Sequence, residues 1–490
     1  MERTAPLTWT DPTVRRLVVT VVALLLAVGA LTTFGGSAQG DASLRGATPQ
    51  APCNGPDDRP ETGRQGRVPT EEYANQRYAR GYQCNTVQVA HQGVAGGFKV
   101  QRYTDQQGHT CAFYDSTLLF PRDVLFTAAE GRGVIVLNMD DPSRPRKTAE
   151  LTTPAMLSPH ESLLVNKKRG LLAAVLGNPD TNIGVVDIYD VSKDCRHPEL
   201  LSTEQNASYG HESGFSPDGR TFWVAGAGGG NLTAVDLTDP SNPEMIFEQE
   251  GVTYHGLRLS HDGRTMFVAN LGTDTGGVNT IGLRVLDVSE VQERQPDPEV
   301  RIVSDLTWPQ VSIPQVAEPF TRNGKKYLLE VDEFENFDGS GAVGAARIID
   351  RSDRRNPTVV SNMRLEVHQP KVHEGEQRTD PGGSVPVQGY AAHYCSVPYR
   401  EDPKIVACSM ILSGLRLFDI SDLRNPVEVG YFNRPVLPGS RTLNPTAAGA
   451  FAMSQPEWDL RRRQVWYSDG NSGFYVVGLR GGIGQLIERR

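Results

Sequence analysis

The chain has little of what marks many soluble enzymes and nucleic-acid binders. Helical periodicity is nearly absent, and no G-x-S-x-G, Walker or dinucleotide fingerprint occurs in a strand-to-helix context. Positive charge is not in excess either, since 58 acidic residues stand against 49 basic ones for a formal net charge of −9, without a basic stripe interleaved with aromatics. Nucleic acid is therefore excluded as the expected partner.

An uncharged apolar run covers residues 17–34, directly after Arg15 and Arg16. It predicts either a cleaved signal peptide or an uncleaved membrane anchor within residues 1–36, and both alternatives stay open. Either one places the rest of the chain outside the cytoplasm, secreted or anchored to the outer face of the membrane, with membrane contact only through this segment. Residues 37–80, rich in Gly, Pro, Arg, Gln and Asp, predict a flexible linker.

Cysteine is scarce, with six residues, and an exported location favours disulfides over free thiols. Cys395 and Cys408 lie symmetrically about the predicted turn 400–404, so an antiparallel hairpin would place them opposite each other at bridging distance. The remaining four cysteines allow three pairings, among which the sequence does not choose: Cys53, Cys84, Cys111 and Cys195.

A repeated pattern replaces the missing signatures. Seven times an apolar strand runs into a turn, and six of these turns are rich in Asp or Asn and followed by Pro. The repeats align on Asn138, Asp190, Asp236, Asp287, Asp350, Asp419 and Gly478. Hairpins lie upstream, as at 211–226 and 255–270, so each repeat predicts one four-stranded blade. The expected fold class is all-β, a seven-bladed β-propeller over residues 84–490.

The last repeat lacks a fourth strand, because only a short segment follows Leu479. Near the other end, the segment 84–93 resembles a fourth strand and has no blade of its own to join. We expect it to pair with the third strand of blade seven, which would close the ring and cover an exposed edge.

The repeat is best preserved in GLRLFDISDLRNP at 414–426. This pattern resembles the LVIVD-repeat family of secreted or surface-attached bacterial β-propellers, over roughly residues 84–490. The resemblance implies a propeller fold and an exported location. It implies no particular activity, and so the partner is expected to be a protein, a glycan or a small molecule of unknown identity.

Histidines recur in one register of these repeats. Five of the ten histidines stand 25 to 32 residues before the aligned turn position, each in a different repeat, and Glu318 occupies the matching place in the fifth. The predicted set that opens the inner strands is His109, His160, His211, His255, His393 and Glu318.

Inner strands line the channel of a propeller, so these side chains would converge on one transition-metal ion, with copper, iron, zinc and manganese all suited to the donors. Glu161 and Glu212, each next to a histidine of the set, are expected to orient the rings. The arrangement is similar in architecture to carotenoid-cleaving oxygenases and to the selenium-binding or methanethiol oxidase group, which use channel histidines for metal.

A purely structural role competes with this hypothesis. Propellers of the WD-repeat kind carry a Gly-His pair that ties blades together by hydrogen bonds, and Gly108–His109 and Gly210–His211 fit that pattern. Three function classes therefore stay open: a binding module with a metal centre, a metal-dependent oxidoreductase of copper or iron, and a propeller with structural histidines. The acidic segment 332–339 lacks the spacing of calcium ligands and is expected to be an exposed loop.

Overall fold

Short apolar strands bounded by Gly and Asp turns build the whole molecule, which is described here from a computed structural model. The structure describes residues 46–116, 133–177, 183–227, 229–272, 280–308, 311–334, 343–383, 389–437 and 448–488. The predicted signal or anchor segment at 1–36 lies outside these residues. The strands form seven antiparallel sheets arranged as the blades of a β-propeller, which confirms the predicted fold class.

Two strands precede the first blade, β1 (Tyr82–Cys84) and β2 (Thr86–Gln92). Blade one consists of β3 (Val100–Thr104), β4 (Thr110–Asp115), β5 (Val134–Asn138) and β6 (Arg146–Leu151). Blade two consists of β7 (Leu164–Asn166), β8 (Leu171–Val175), β9 (Gly184–Asp190) and β10 (Glu199–Ala207). Blade three consists of β11 (Glu212–Phe215), β12 (Thr221–Gly226), β13 (Asn231–Asp236) and β14 (Glu244–Glu250).

Blade four consists of β15 (Tyr254–Leu259), β16 (Thr265–Asn270), β17 (Gly282–Asp287) and β18 (Arg301–Leu306). Blade five consists of β19 (Ile313–Arg322), β20 (Lys325–Glu333), β21 (Ala346–Asp350) and β22 (Thr358–Met363). Blade six contains β23 (Tyr394–Ser396), β24 (Ile405–Ser409), β25 (Leu415–Asp419) and β26 (Val427–Asn433). Blade seven contains β27 (Glu457–Asp459), β28 (Gln464–Asp469) and β29 (Gly473–Leu479).

Helices in the described part of the chain are single turns, and none is long and apolar enough to cross a membrane. The α-helical turns are Thr70–Ala74, Pro154–Leu157, Ser289–Gln292 and Pro370–His373. The 3-10 turns are Arg77–Arg80, Glu366–His368, Glu376–Thr379 and Ile483–Ile487.

The aligned Asp or Asn of each repeat has one shared task. Its side-chain oxygen accepts a hydrogen bond from the backbone N–H two residues further on, at 2.7–3.1 Å, in each of the first six blades. This local bond reverses the chain after the third strand, because a short carboxylate or amide side chain can take the place of a backbone acceptor in a tight turn. The repeat in the sequence is therefore a turn signal first.

The apolar core lies between the blades. Eight clusters of buried apolar side chains are found in the described residues. Seven of them lie one between each pair of neighbouring blades, and the eighth joins the segment before β2 to blade six. The cluster that joins blade seven to blade one contains Trp466 and Phe474 from one side and Val100 and Ala112 from the other. Each blade is thus stabilised by its two neighbours, and the ring depends on being closed.

The closure is made as the sequence predicts. Strand β2 pairs antiparallel with β29, with Thr86 opposite Leu479 and Gln92 opposite Phe474, and so supplies the missing fourth strand of blade seven. Its neighbour β1 pairs with β26 and adds a fifth strand to blade six, which the sequence analysis does not anticipate.

Residues 46–80 differ from the flexible linker expected for 37–80. The amide of Ala51 donates to the Glu428 carbonyl at 2.8 Å, the carboxylate of Asp380 binds Arg67, and Val68 is 1% exposed. The segment packs on the propeller because its few apolar residues and its charged side chains find buried partners there, which composition alone does not reveal.

The six cysteines form three disulfides. Cys395 and Cys408 face each other across β23 and β24 and are bonded, as predicted. The other two bonds join Cys53 to Cys84 and Cys111 to Cys195, which selects one of the three open pairings. Three disulfides indicate an oxidising, extracytoplasmic environment.

Replacing residues 86–92 by a Gly-Ser sequence of equal length should destabilise the whole ring. The replacement removes the strand that completes blade seven and uncovers the cluster around Trp466 and Phe474. We expect the melting temperature in calorimetry to fall by about 5 °C or more, in a single transition. An unchanged melting temperature would show that β2 does not hold the ring together.

Candidate metal centre

Four histidines stand at the starts of innermost strands. His160 lies four residues before the start of β7, His211 directly precedes β11, His255 is the second residue of β15, and His393 directly precedes β23. Because the first strands of all blades run in the same direction along the axis, their starts meet at one end of the channel. All four side chains are buried there, at 9% exposure or less.

The carboxylate of Glu161 lies among these rings. Its Oε2 atom is 3.5 Å from His211 Nε2 and 3.6 Å from His255 Nδ1, and its Oε1 atom is 3.1 Å from His393 Nε2. The sequence analysis expects Glu161 to orient the rings from outside. In the structure it contacts three of them directly.

A second carboxylate belongs to the site and is absent from the sequence prediction. Glu333, the last residue of β20, places Oε1 2.9 Å from His255 Nε2 and Oε2 2.9 Å from His393 Nε2. His255 Nε2 is also 3.0 Å from His211 Nε2. Two carboxylates and four imidazoles therefore form one buried cluster, called the axial cluster below: His160, Glu161, His211, His255, Glu333 and His393.

His393 is fixed in one tautomer by the backbone. Its Nδ1–H donates to the Met453 carbonyl at 2.6 Å, because a carbonyl oxygen can only accept. Its Nε2 atom then faces the oxygens of Glu161 and Glu333 at 3.1 and 2.9 Å, and it makes no hydrogen bond of acceptable geometry with either. A neutral imidazole would direct a lone pair at two carboxylates, so a cation has to stand between these groups, either a proton or a metal ion.

Without a metal, protons supply the compensation. Burial acts in the opposite direction, but the charges of Glu333 and Glu161 raise the pKa of His255 to about 9. Burial likewise lowers the pKa of His393, but the close contacts and charges of the same two carboxylates raise it to about 9. The histidine charges in turn hold the pKa of Glu161 and of Glu333 below the usual carboxyl range, against the effect of burial.

The other two imidazoles stay neutral. Burial lowers the pKa of His160 to about 4, and burial together with the charges of neighbouring histidines lowers the pKa of His211 well below its ordinary value. The metal-free cluster thus holds two imidazolium groups against two carboxylates. Its net charge is zero, which is the condition for keeping ionised groups away from water.

Aromatic side chains wall the cluster. Phe98, just before β3, packs against His160 and His393 with ring centroids 4.6 and 5.3 Å apart, and Phe334 lies 5.5 Å from His393. His160 itself has a φ of +49°, in the left-handed region that only glycine adopts without cost. The surrounding packing holds this strained backbone in place, as is common at binding sites.

The donor atoms of the cluster form two overlapping groups in which all ligand atoms lie within 4.8 Å of one another. The first contains His160, Glu161 and His211, and the second contains Glu161, His255 and Glu333. Five buried nitrogen or oxygen atoms of the axial cluster have no hydrogen-bond partner among the described residues: His160 Nδ1, Glu161 Oε2, His211 Nδ1, His255 Nδ1 and His393 Nε2. Nitrogen and carboxylate donors at this spacing fit a transition-metal ion.

The structure does not bring His109 into the cluster. His109 lies in the turn between β3 and β4, where its Nδ1 contacts Asp140 at 2.9 Å. The predicted register counts back from Asn138, but residues 117–132 are inserted between the second and third strands of blade one, so the count ends in the wrong turn. Phe98 is the residue of blade one that reaches the cluster.

Glu318 and Glu212 also serve elsewhere. Glu318 is the sixth residue of β19, well past its start, and binds Arg258 and Arg400. Glu212 follows His211 in the chain but points its Oε1 atom at Lys99 Nζ, 2.9 Å away, and at Arg258 Nη1, 3.0 Å away. Neither carboxylate contacts a histidine of the cluster through a hydrogen bond or ion pair in the described structure.

The acidic segment 332–339 is not an exposed loop throughout. Asp332 is fully buried and binds Trp308 Nε1 at 2.9 Å and Arg347 Nη2 at 2.9 Å, and Glu333 belongs to the axial cluster. Residues 335–339 lie outside the described part of the chain. The sequence gives no register signal for Glu333, because it ends a second strand while the other members begin first strands.

Comparisons with known proteins assign neither a family nor an activity to this chain. No family model and no curated protein matches the sequence. Among solved structures, hydrazine synthase of Kuenenia stuttgartiensis is 13% identical, with a TM-score of 0.47 over 80% of this chain and 98% of its own. The periplasmic gluconolactonase of Pseudomonas aeruginosa is 14% identical, with a TM-score of 0.47 over 73% and 94%.

A putative 6-phosphogluconolactonase of Bacteroides fragilis is likewise 14% identical, with a TM-score of 0.45 over 71% of this chain and 90% of its own. At such identities and scores, the activities named for these three proteins do not transfer to this chain.

The metal-free protein should lose stability as the pH rises through about 9. The pKa of His255 and that of His393 are raised from 6.5 to about 9 in the folded state, so their stabilisation is complete below pH 6.5 and disappears above pH 9. In chelator-treated protein, Glu333→Gln should flatten the decline of melting temperature between pH 7 and pH 9, since one of the two charges that raise both pKa values is gone.

His109→Asn, outside the cluster, is the matched control and should keep the wild-type slope. Equal slopes in wild type and Glu333→Gln would contradict the charge coupling inferred for the cluster.

Proposed function

We propose that this protein is an exported propeller of the LVIVD-repeat type that binds a divalent transition-metal ion in the axial cluster and uses it as the centre of a binding site. The observation that carries the proposal is the position of His393 Nε2 between the carboxylates of Glu161 and Glu333. With Nδ1 committed to the Met453 carbonyl, this nitrogen has the orientation of a metal-binding imidazole whose other N–H donates to the backbone.

Charge supports the same proposal. Glu161 and Glu333 together carry two negative charges in a site from which water is largely excluded. One divalent cation neutralises them as the two imidazolium protons do. It leaves two neutral imidazoles, His255 in the second donor group and His393 with its Nε2 atom facing both carboxylates. Metal binding is then an exchange of two protons for one ion at constant net charge, which avoids the cost of burying an uncompensated charge.

The residues that would hold the ion include Glu161 in every arrangement, because it belongs to both donor groups. His160 and His211 complete the first group, and His255 and Glu333 complete the second. Iron, manganese, zinc and copper all accept such mixed imidazole and carboxylate donors.

Export is supported by the three disulfides and by the apolar run at residues 17–34. Whether that run is cleaved decides between secretion and anchoring to the membrane. The ligand of the metal centre would be a protein, a glycan or a small molecule from the extracytoplasmic space.

Elemental analysis of the untagged, exported protein tests the proposal. We expect about one transition-metal ion per chain, or two if both donor groups fill, and a loss of at least ten-fold in metal affinity for Glu161→Gln. His109→Ala is the control, because it removes a histidine of the predicted register that the structure places outside the cluster. Wild-type protein that is metal-free and takes up no iron, copper, zinc or manganese would leave the histidines with a structural role only.

A second candidate function is a metal-dependent oxidoreductase. The first donor group has the composition of two histidines and one carboxylate, which is typical of mononuclear iron sites that react with oxygen. With ascorbate supplied as the electron donor, iron-loaded wild-type protein would then consume oxygen in an electrode assay, and Glu161→Gln treated in the same way would not. Metal binding without any oxygen consumption or substrate turnover would restrict the protein to the binding role.

A further inference from the structure

The opposite end of the channel opens into a funnel. Its cavity of about 330 Å³ is lined by residues from all seven innermost strands or the turns that follow them, among them Gln101, Lys167, Arg258, Glu318, Arg400 and Gln455. This volume lies at the lower end of the range for small-molecule sites. Nothing in the axial cluster lines it, so the funnel is a separate feature of the fold.

The buried guanidinium of Arg258 lies at the inner end of the funnel. Arg258 is 6% exposed and binds Glu212 through Nη1 at 3.0 Å and Glu318 through Nε at 3.0 Å. Among the described residues, its Nη2 atom donates only to the side-chain oxygen of Gln455, at 3.2 Å. One of the two N–H groups on Nη2 is therefore left without an acceptor among the described residues, and an unpaired donor is costly where it is buried.

Gln455 is oriented by two cations. Its oxygen accepts from Arg258 Nη2 and from Lys99 Nζ, at 3.2 and 3.4 Å, which turns its amide NH2 group away from both. That NH2 group has no hydrogen-bond partner among the described residues. Together with Arg400, whose side chain is 40% exposed at the rim, it leaves hydrogen-bond donors facing the cavity.

The charges around the funnel do not balance. Four cations lie in or beneath the funnel together with three carboxylates: Lys99, Lys167, Arg258 and Arg400, and Glu212, Glu318 and Glu457. Lys99 is fully buried beneath the funnel and links Glu212 to Gln455. One positive charge is left over, and it lies on the axis of the molecule.

Two cations lie at the rim of the funnel. Lys167 and Arg400 belong both to the turns between first and second strands and to the lining of the cavity. Lys167 is paired with Glu457 at 2.9 Å and Arg400 with Glu318 at 2.8 Å, so the positive charge is confined to the funnel and does not extend over the surrounding face. A local positive charge at an opening attracts anions.

We propose that the funnel binds a small organic anion, with one carboxylate or phosphate group held by Arg400, Arg258 and the amide of Gln455. The axial cluster and the funnel are separated by the buried Lys99–Glu212 pair, so the anion site does not depend on the metal. Guanidinium and amide donors together recognise the oxygens of either anion, and a cavity of this size admits one group of a small molecule.

Isothermal titration with acetate, malonate and inorganic phosphate tests the site at low ionic strength. We expect one of these anions to bind at one molecule per chain with a Kd of about 1 mM or tighter, equally well in native and in metal-stripped protein. Acetate or malonate binding without phosphate binding identifies a carboxylate site, and the reverse result identifies a phosphate site.

Arg400→Gln should weaken this binding by about ten-fold or more, since it removes a charge from the rim of the funnel. Arg461→Gln is the matched control, because it removes one positive charge from an exposed turn on the same face, outside the lining, and should change the Kd by less than about two-fold. Should Arg400→Gln fail to fold, Gln455→Glu keeps the size of the side chain and its contacts with Lys99 and Arg258 while placing a repelling charge in the funnel, and it should abolish binding.

The proposal is overturned if none of the three anions binds, if Arg461→Gln weakens binding as much as Arg400→Gln, or if Gln455→Glu still binds. Loss of binding on removal of the metal would show that the anion occupies the axial cluster instead. Protein that takes up no metal ion and still binds an anion would refute the metal centre and leave the funnel proposal intact.

Discussion

The centre of this molecule depends on two ionised carboxylates that are buried within a few ångströms of each other. Glu161 and Glu333 share one donor group with His255 at separations of at most 4.8 Å. Such a pair is stable only with compensating positive charge, and the four imidazoles around it supply ligands or protons as required. The strained backbone of His160 and the aromatic walls of Phe98 and Phe334 hold this arrangement in place.

The fold separates apolar from polar burial. Apolar side chains fill the seven spaces between neighbouring blades, whereas the axis carries a column of charged and polar groups. From one end to the other, this column consists of the axial cluster, the Lys99–Glu212 pair and the funnel around Arg258. The apolar contacts between blades therefore stabilise the fold, whereas the charged groups on the axis stabilise it less than apolar side chains of similar size would.

Much of the fold could be predicted from local signals in the sequence. The Asp or Asn that ends each third strand makes the same side-chain bond to the backbone, so the period of the turns is enough to count the blades and to find the closing strand β2. The Cys395–Cys408 bond follows from a hairpin of known register. The packing of residues 46–80 could not be predicted in this way, because many of their partners lie more than 300 residues further along the chain.

Part of the candidate site could also be predicted from local signals in the sequence. His160, His211, His255 and His393 share a register because each begins a first strand, and that register could be found by counting. His109 fails because an insertion within blade one breaks the count, and Glu333 is missed because it reaches the cluster from the end of a second strand. Ligands from different positions within a blade meet only through the curvature of the closed ring.

The first disulfide gives the N-terminal end of the propeller an unequal share of mechanical load. Cys53 is bonded to Cys84 at the outer edge of blade six, ahead of the strand that closes blade seven. A pull on the chain before residue 53 passes through the two sulfur atoms directly to Cys84, so residues 54–83 and their contacts with the propeller carry no load. The force then reaches the pairing of β2 with β29, which begins two residues beyond Cys84 at Thr86.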